Sequence, residues 1–230
     1  MTRKKLISLP AALLFFLAAE AAPPERIHSK PLAPDYQINP DGTVSLTVCY
    51  NASCAAQKRL RFDNNDLKYV KTQIQSCRIA PGEHTTHKHL QQLRIGVWQM
   101  ESLARKYHPP LANDLPVNDQ EFGIEGRTDC VDNATNTTTF INVLIDLGYL
   151  NDWHVVKPAV RKPLDINRVH WTAVVSDVNN RQWSVDSWFR RHGHLPFVMP
   201  LNNWRREELA WKGEHQRFNP YPKTVPELCD

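Results

Sequence analysis

The chain has 230 residues, with 28 Lys and Arg against 24 Asp and Glu and a formal net charge of +4. Charges of both signs are interspersed, which excludes the clustered basic face of a nucleic-acid-binding protein. The length is enough for one sizeable hydrophobic core and too short for two typical domains. We therefore expect one globular domain that binds no nucleic acid.

The N-terminus has the features of a signal peptide. A basic start, Arg3 to Lys5, precedes an apolar run, Leu6 to Ala19, that ends in the small-x-small motif Ala19-Glu-Ala21. Roughly 14 apolar residues are too few to cross comfortably a bilayer core about 30 Å thick. We predict a signal peptide over residues 1–21, with an uncleaved N-terminal anchor as the alternative. Both place the folded part outside the cytoplasm, in the periplasm or secreted, and the first leaves no transmembrane span.

The first half of the mature chain predicts a tether, a strand and two helices. Residues 22–41 are rich in proline and predict an extended tether, which leaves 42–230 as a single domain. Thr43 to Tyr50 alternates apolar and polar residues, as a strand does. Asp66 is predicted to cap a helix. A stronger helix is predicted from Thr86 to Tyr107 by apolar residues at steps of three and four: Leu90, Leu93, Val97, Met100, Ala104 and Tyr107.

The second half predicts a helix followed by strands. Thr128 or Asp129 is a suitable N-cap for a helix from Cys130 to Leu147, and Gly148 stands where a C-terminal glycine cap belongs. The strands predicted after it are Val169 to Ser176, Arg181 to Trp188 and Phe197 to Leu201.

Five cysteines in an exported chain make an odd count. Cys49 and Cys54 are close enough in sequence to close a short loop by a disulfide in an oxidising compartment. Cys77 and Cys229 would make a second pair. The sequence alone does not determine this connectivity, but the assignment leaves Cys130 outside both pairs.

Cys130 is predicted at the first turn of its helix, where the helix dipole and the N–H groups favour a thiolate. A buried, inert thiol fits the same position, since Cys130 also begins the core-facing stripe of the helix. An imidazole that takes the thiol proton, oriented by a third group, would make the thiol a nucleophile.

His170 and Asp186 are the candidates for these two roles, and their meeting depends on the strand register. A three-residue loop, Asp177 to Asn179, would pair Ser176 with Asn180 and place His170 directly opposite Asp186. A two-residue Asn179-Asn180 turn would put the two side chains on opposite faces of the sheet.

Three ordered motifs resemble the transglutaminase-like superfamily, of the bacterial exported cysteine peptidase type. They are Gly126-Arg-Thr-Asp-Cys130-Val-Asp132, His170-Trp-Thr-Ala-Val-Val and Trp183-Ser-Val-Asp186-Ser-Trp188. The resemblance covers residues 86 to 200 and implies an α+β, papain-like core with catalytic Cys130, His170 and Asp186. It implies acyl transfer at peptide or carboxamide bonds of a protein or peptide substrate, with cell-envelope components among the candidates. We expect no cofactor and no metal at this site.

Two other hypotheses remain open. A catalytically silent binding module could share the same fold. A metal site could use Glu83, His84, His87 and His89, because imidazoles at these spacings meet on one helical turn. His192 and His194, beside two arginines, are interpreted as a polar surface loop.

Overall fold

A computed structural model describes residues 30–78, 86–118, 123–161, 169–190, 192–206 and residue 229. The strands are β1 (Tyr36–Ile38), β2 (Val44–Tyr50), β3 (Ala56–Phe62), β4 (Trp153–Arg161), β5 (His170–Asp177), β6 (Gln182–Asp186) and β7 (Phe197–Pro200). The helices are α1 (Asn64–Ser76), α2 (Thr86–Tyr107), α3 (Cys130–Asp146) and α4 (Leu201–Arg206), and a 3₁₀ helix spans Pro109–Asn113. The fold is therefore α+β, as predicted.

Two antiparallel sheets share one helix. The smaller sheet has the strand order β1-β2-β3 and the larger one the order β4-β5-β6-β7. Helix α3 contacts β2 of the first sheet and β5 of the second. Every residue from 130 to 141 is buried as a result, whereas a surface helix buries only one stripe.

The threonines that make α3 unusually polar are accommodated by the helix itself. The hydroxyls of Thr135, Thr138 and Thr139 each donate to the carbonyl four residues earlier, at 2.6–3.0 Å. This local bonding satisfies hydroxyls that burial would otherwise leave without partners. A polar sequence can therefore form a helix that is buried on all sides.

The predicted helix boundaries are close to those observed. Helix α2 spans the predicted residues, and Gly148 follows α3 with a φ of 70°, the left-handed conformation of a glycine cap. The predicted cap at Asp66 is wrong, because α1 begins at Asn64 and the Asp63 side chain accepts a hydrogen bond from the Asp66 N–H. Asp66 lies in the first turn, where a carboxylate also interacts favourably with the helix dipole.

The tether predicted over residues 22–41 does not extend to residue 41. Tyr36–Ile38 pairs with β2, so this segment belongs to the smaller sheet. Residues 22–29, and the predicted signal peptide at 1–21, lie outside the described residues. No helix in the described part of the chain combines the length and apolar character needed to cross a bilayer.

The predicted register of β5 and β6 is wrong by two residues. The strands pair Val174 with Ser184, and Asp177 bonds to Arg181 across a three-residue loop. Asn180, with a φ of 59°, takes the left-handed position in this loop. Side chains alternate with a period of two, so a shift of two keeps every residue on its predicted face.

Both predicted disulfides are present, Cys49–Cys54 and Cys77–Cys229. The second joins the end of α1 to a residue near the C-terminus, 152 residues away. Disulfides of this kind fit a protein that folds in an oxidising compartment. Cys130 belongs to neither pair.

Candidate functional site

Cys130 is the first residue of α3, and its position is set by a capping box. The Asp129 side chain accepts hydrogen bonds from the N–H groups of Val131 and Asp132, at 2.9 and 3.0 Å. The Asp132 side chain accepts one in return from the Asp129 N–H at 3.0 Å. The Cys130 sulfur lies 3.7 Å from the carbonyl oxygen of Val169, the residue before His170. The helix start thus meets the beginning of β5.

His170 and Asp186 form a close pair. Nε2 of His170 lies 2.6 Å from Oδ2 of Asp186, and the two residues are only 4% and 2% exposed. In the observed register the two are diagonal neighbours on one face of the sheet, a separation that side chains of this length can bridge. A carboxylate only accepts, so Nε2 carries the proton in the neutral imidazole. Nδ1 is then left with a lone pair, and it has no hydrogen-bond partner among the described residues.

Asp186 is held by two further donors. The indole N–H of Trp204 donates to Oδ2 at 3.0 Å, and the backbone N–H of Trp188 donates to Oδ1 at 3.2 Å. The Trp188 and Trp204 rings also pack against the imidazole, with centroid distances of 4.5 and 5.6 Å. The carboxylate and the imidazole therefore have little freedom to reorient.

A loop closed by a disulfide packs on the start of α3. Four consecutive residues, Asn51 to Cys54, have left-handed φ angles between 54° and 67°. The Cys54 N–H donates to Oδ1 of Asp132 at 2.6 Å, and the Ser53 hydroxyl donates to Oδ2 of Asp129 at 3.0 Å. Burial raises the pKa of Asp132 well above its ordinary value, and the Asp129 charge adds to this, against the backbone N–H groups that lower it.

Two more buried acids connect the site to the loop after β6. Asp114 accepts from the N–H and hydroxyl of Thr128 and from the N–H of His192, at 2.8–3.0 Å. Glu101 accepts from the N–H of Gly193 at 2.7 Å and bonds to the hydroxyl of Ser187. Burial raises the pKa of Asp114 to about 6 and that of Glu101 to about 8.

The prediction of a polar surface loop at His192 and His194 is wrong for His192. His192 is 2% exposed, and burial lowers the pKa of its imidazole to about 3, so it is neutral at physiological pH. The adjacent arginines suggested a solvated loop, but the loop is drawn inward because its backbone N–H groups bond to Asp114 and Glu101.

Two cavities lie away from Cys130, His170 and Asp186. One, of about 470 Å³, includes Trp183 and Leu201 in its lining, and the other, of about 440 Å³, includes Trp153 and Val178. Both are at the end of the β5–β6 hairpin that is opposite to His170. Cys130 is 3% exposed, so it lies largely below the surface.

The metal hypothesis falls largely on residues that the structure does not describe. Glu83 and His84 lie outside them, as does the side chain of His87. His89 is placed, and its Nδ1 lies 3.0 Å from Oδ2 of Asp152. A second group of donor atoms, from Cys49, Cys54 and Asp132, lies within 4.8 Å of one another. Both sulfurs are in the disulfide, so they cannot bind a metal as thiolates.

Trp204 was missed by sequence reasoning because it lies beyond residue 200, where the resemblance ends. Asp132 and the Cys49–Cys54 loop were visible only as separate features. An acid three residues after Asp129 is a capping-box signal, and this signal could have identified Asp132.

Replacing Trp204 by phenylalanine should reduce the free energy of unfolding by about 1.5–3 kcal/mol, because a hydrogen bond to a buried carboxylate is lost. Urea denaturation measures this change. Trp183→Phe is the matched control, since its indole N–H donates at 3.3 Å to Asp177 in a half-buried setting. An equal loss of unfolding free energy in the control would show that the bond from Trp204 to Asp186 stabilises the fold no more than the bond from Trp183 to Asp177.

No family model, no curated protein and no solved structure matches this chain.

Proposed function

We propose that this chain is an exported, transglutaminase-like cysteine enzyme with a papain-like core. It cleaves or transfers acyl groups at peptide or carboxamide bonds, with Cys130 as nucleophile, His170 as general base and Asp186 as the residue that orients His170. The observation that carries the proposal is the 2.6 Å contact between His170 Nε2 and Asp186, which leaves Nδ1 available as a base near the start of α3.

The position of Cys130 supports the role of nucleophile. A sulfur at the first turn of a helix lies near the positive end of the helix dipole, which stabilises a thiolate. The carbonyl of Val169 lies 3.7 Å from this sulfur, so the thiol and the residue next to His170 are neighbours. The cysteine count supports the same role, because both disulfides exclude Cys130.

The reaction proceeds through a thioester. His170 Nδ1 takes the thiol proton as the Cys130 sulfur attacks the substrate carbonyl carbon, and the backbone N–H of Cys130 is a candidate donor to the oxyanion. The protonated His170, stabilised by Asp186, then gives its proton to the leaving amine as the C–N bond breaks. Water resolves the thioester in hydrolysis, and a second amine resolves it in acyl transfer. The substrate is a protein or peptide, and the site of action is the periplasm or the outside of the cell.

Alkylation of Cys130 by iodoacetamide in the folded, non-reduced protein tests this proposal. We expect a single label on Cys130, with a rate that rises with pH at a midpoint below the ordinary thiol pKa of about 8.5. Cys130→Ala should remove the label and all acyl transfer while leaving the thermal transition nearly unchanged. An unlabelled Cys130 at neutral pH, or an unfolded Cys130→Ala, would contradict the proposal.

A silent binding module on the same fold is the second candidate, because the thiol, the imidazole and the carboxylate are all at least 96% buried. Such a module would keep the His170–Asp186 pair as a structural contact. It predicts a Cys130 that iodoacetamide does not reach until the protein unfolds, which is the opposite outcome of the same experiment.

A further inference from the structure

The Cys49–Cys54 loop has an unusual backbone. Four successive residues that are not glycine, Asn51, Ala52, Ser53 and Cys54, all have φ between 54° and 67°. Side chains of L-residues disfavour this region, so such a run persists only where its surroundings hold it. The disulfide closes the loop at its two ends and is the first of these constraints.

Asp132 is the second constraint. Successive backbone N–H groups in turn conformations form a concavity that binds an anion. Here the backbone N–H of Cys54 donates to Oδ1 of Asp132 at 2.6 Å, and the backbone N–H of Ala52 also donates to this carboxylate. From the helix side, the backbone N–H of Asp129 donates to Oδ2 at 3.0 Å. The Asp132 side chain is fully buried between the loop and the helix start.

The contacts between the loop and the two acids, Asp129 and Asp132, also hold Cys130, which lies between them in the sequence. Cys130 follows Asp129 and precedes Asp132 by two residues, and both acids bond to the loop. One turn further along α3, the Asn136 side chain bonds to the N–H and carbonyl of Cys49 at 2.7 and 2.8 Å. Cys49, Cys54 and Cys130 belong to one buried cluster with Trp188, whose ring packs against His170.

We propose that Asp132 is a positioning residue for Cys130 and that the Cys49–Cys54 disulfide makes this positioning dependent on oxidation state. A dithiol reductant therefore lowers the reactivity of Cys130. The inference rests on the proposed function, because it concerns the nucleophile of the same site.

The chemistry is thiol–disulfide exchange with a dithiol. One thiolate of the reductant attacks a sulfur of the Cys49–Cys54 bond and releases the other cysteine as a thiolate, which leaves a mixed disulfide. The second thiolate of the reductant then attacks the reductant sulfur of this mixed disulfide and releases the second cysteine as a thiolate. The protein gains two electrons and two protons, and the reductant becomes a disulfide. The opened loop relaxes from its left-handed conformation and withdraws its N–H groups from Asp132. The first turn of α3 then holds the Cys130 sulfur less firmly at the helix N-terminus.

The test compares two double variants that each remove one disulfide. In Cys49→Ser/Cys54→Ser we expect the rate of Cys130 alkylation by iodoacetamide at pH 7 to fall at least tenfold and its pH midpoint to rise by about one unit. In Cys77→Ser/Cys229→Ser, the matched control, we expect a rate within about twofold of the wild type. The control removes a disulfide that closes a far longer loop, so on chain-entropy grounds it should lose more stability than Cys49→Ser/Cys54→Ser. If a general loss of stability slowed alkylation, the control would therefore be the slower of the two variants.

Asp132→Asn keeps the inference testable if a double variant does not fold. Its amide nitrogen cannot accept the bonds that the carboxylate accepts, so alkylation should slow in the otherwise wild-type, oxidised protein, and an unchanged rate there would overturn the inference. Where the Cys49→Ser/Cys54→Ser protein folds, adding Asp132→Asn should slow alkylation no further. Additive losses, an unchanged rate in the Cys49 and Cys54 variant, or an equal loss in the Cys77 and Cys229 control would each overturn the inference.

Amide hydrogen exchange separates this inference from the proposed function. If iodoacetamide does not react with wild-type Cys130, the proposed function is rejected, and protection of the Asp129 and Cys54 amides then decides the positioning. Loss of that protection in Cys49→Ser/Cys54→Ser but not in the control supports the positioning, and unchanged protection overturns it.

Discussion

His170→Ala is expected to slow acyl transfer by about 10²- to 10⁴-fold, the usual contribution of a positioned general base. The imidazole bonds to Asp186 through Nε2, and its buried Nδ1 has no hydrogen-bond partner among the described residues, at the strand that begins beside Cys130. The pH profile of Cys130 alkylation should also move towards that of an ordinary thiol, because the thiol loses its proton acceptor. Steady-state rates and the alkylation profile are the two measurements.

His192→Ala is the matched control, since His192 is also buried, at 2% exposure, and its ring nitrogens have no hydrogen-bond partner among the described residues. We expect it to cost stability with little change in the alkylation profile. Asp186→Asn should reduce the rate less than His170→Ala, because the imidazole remains and loses only its carboxylate partner. If the His170 and His192 substitutions slow acyl transfer equally, the slower rate comes from removing a buried histidine and not from the loss of proton transfer by His170.

Glu101→Gln should make the free energy of unfolding less dependent on pH. Burial raises the pKa of Glu101 from 4.5 to about 8 in the folded protein. Between these two values the unfolded chain has released the proton while the folded chain retains it, so rising pH favours unfolding. The wild type should therefore lose about 2–5 kcal/mol relative to Glu101→Gln between pH 4.5 and pH 8, since one pKa unit corresponds to about 1.4 kcal/mol.

Urea denaturation of both proteins at several pH values measures this difference. The pKa of Asp114 is also raised by burial, but this acid is present in both proteins, so its contribution largely cancels. The Gln side chain can still accept from the Gly193 N–H, which keeps the loop contact. Glu125→Gln, at an acid whose side chain is 62% exposed, serves as control. A parallel pH dependence in wild type and Glu101→Gln would show that Glu101 ionises freely in the folded state.

The sequence predicted His170 and Asp186 on one face of the sheet, and this prediction holds although the predicted register was wrong. Strand periodicity assigns faces, and the observed shift of two residues preserves them. Loop chemistry was less informative, because Asn179 and Asn180 both suit a left-handed position and the structure has Asn180 there.

The elements that were not predicted have weak local signals. Strand β3 is Ala-Gln-Lys-Arg-Leu-Arg-Phe, in which only Leu60 and Phe62 are buried. Strand β4 contains Pro158, next to a shift in its pairing with β5, and it is an edge strand, where proline is tolerated. The buried position of His192 depends on hydrogen bonds to acids about 80 and 90 residues earlier, which no local pattern reveals.

The contact between Asn136 and the backbone of Cys49 affects the choice of expression host. Asn133-Ala-Thr and Asn136-Thr-Thr both match the acceptor sequence for N-linked oligosaccharides. The Asn136 side-chain nitrogen donates to the Cys49 carbonyl at 2.8 Å, within a helix packed between two sheets. A sugar attached to this nitrogen before folding would prevent α3 from reaching β2. Recombinant protein for the experiments above should therefore come from a bacterial export pathway that attaches no such sugar, since yeast or mammalian secretion could modify α3 before it packs.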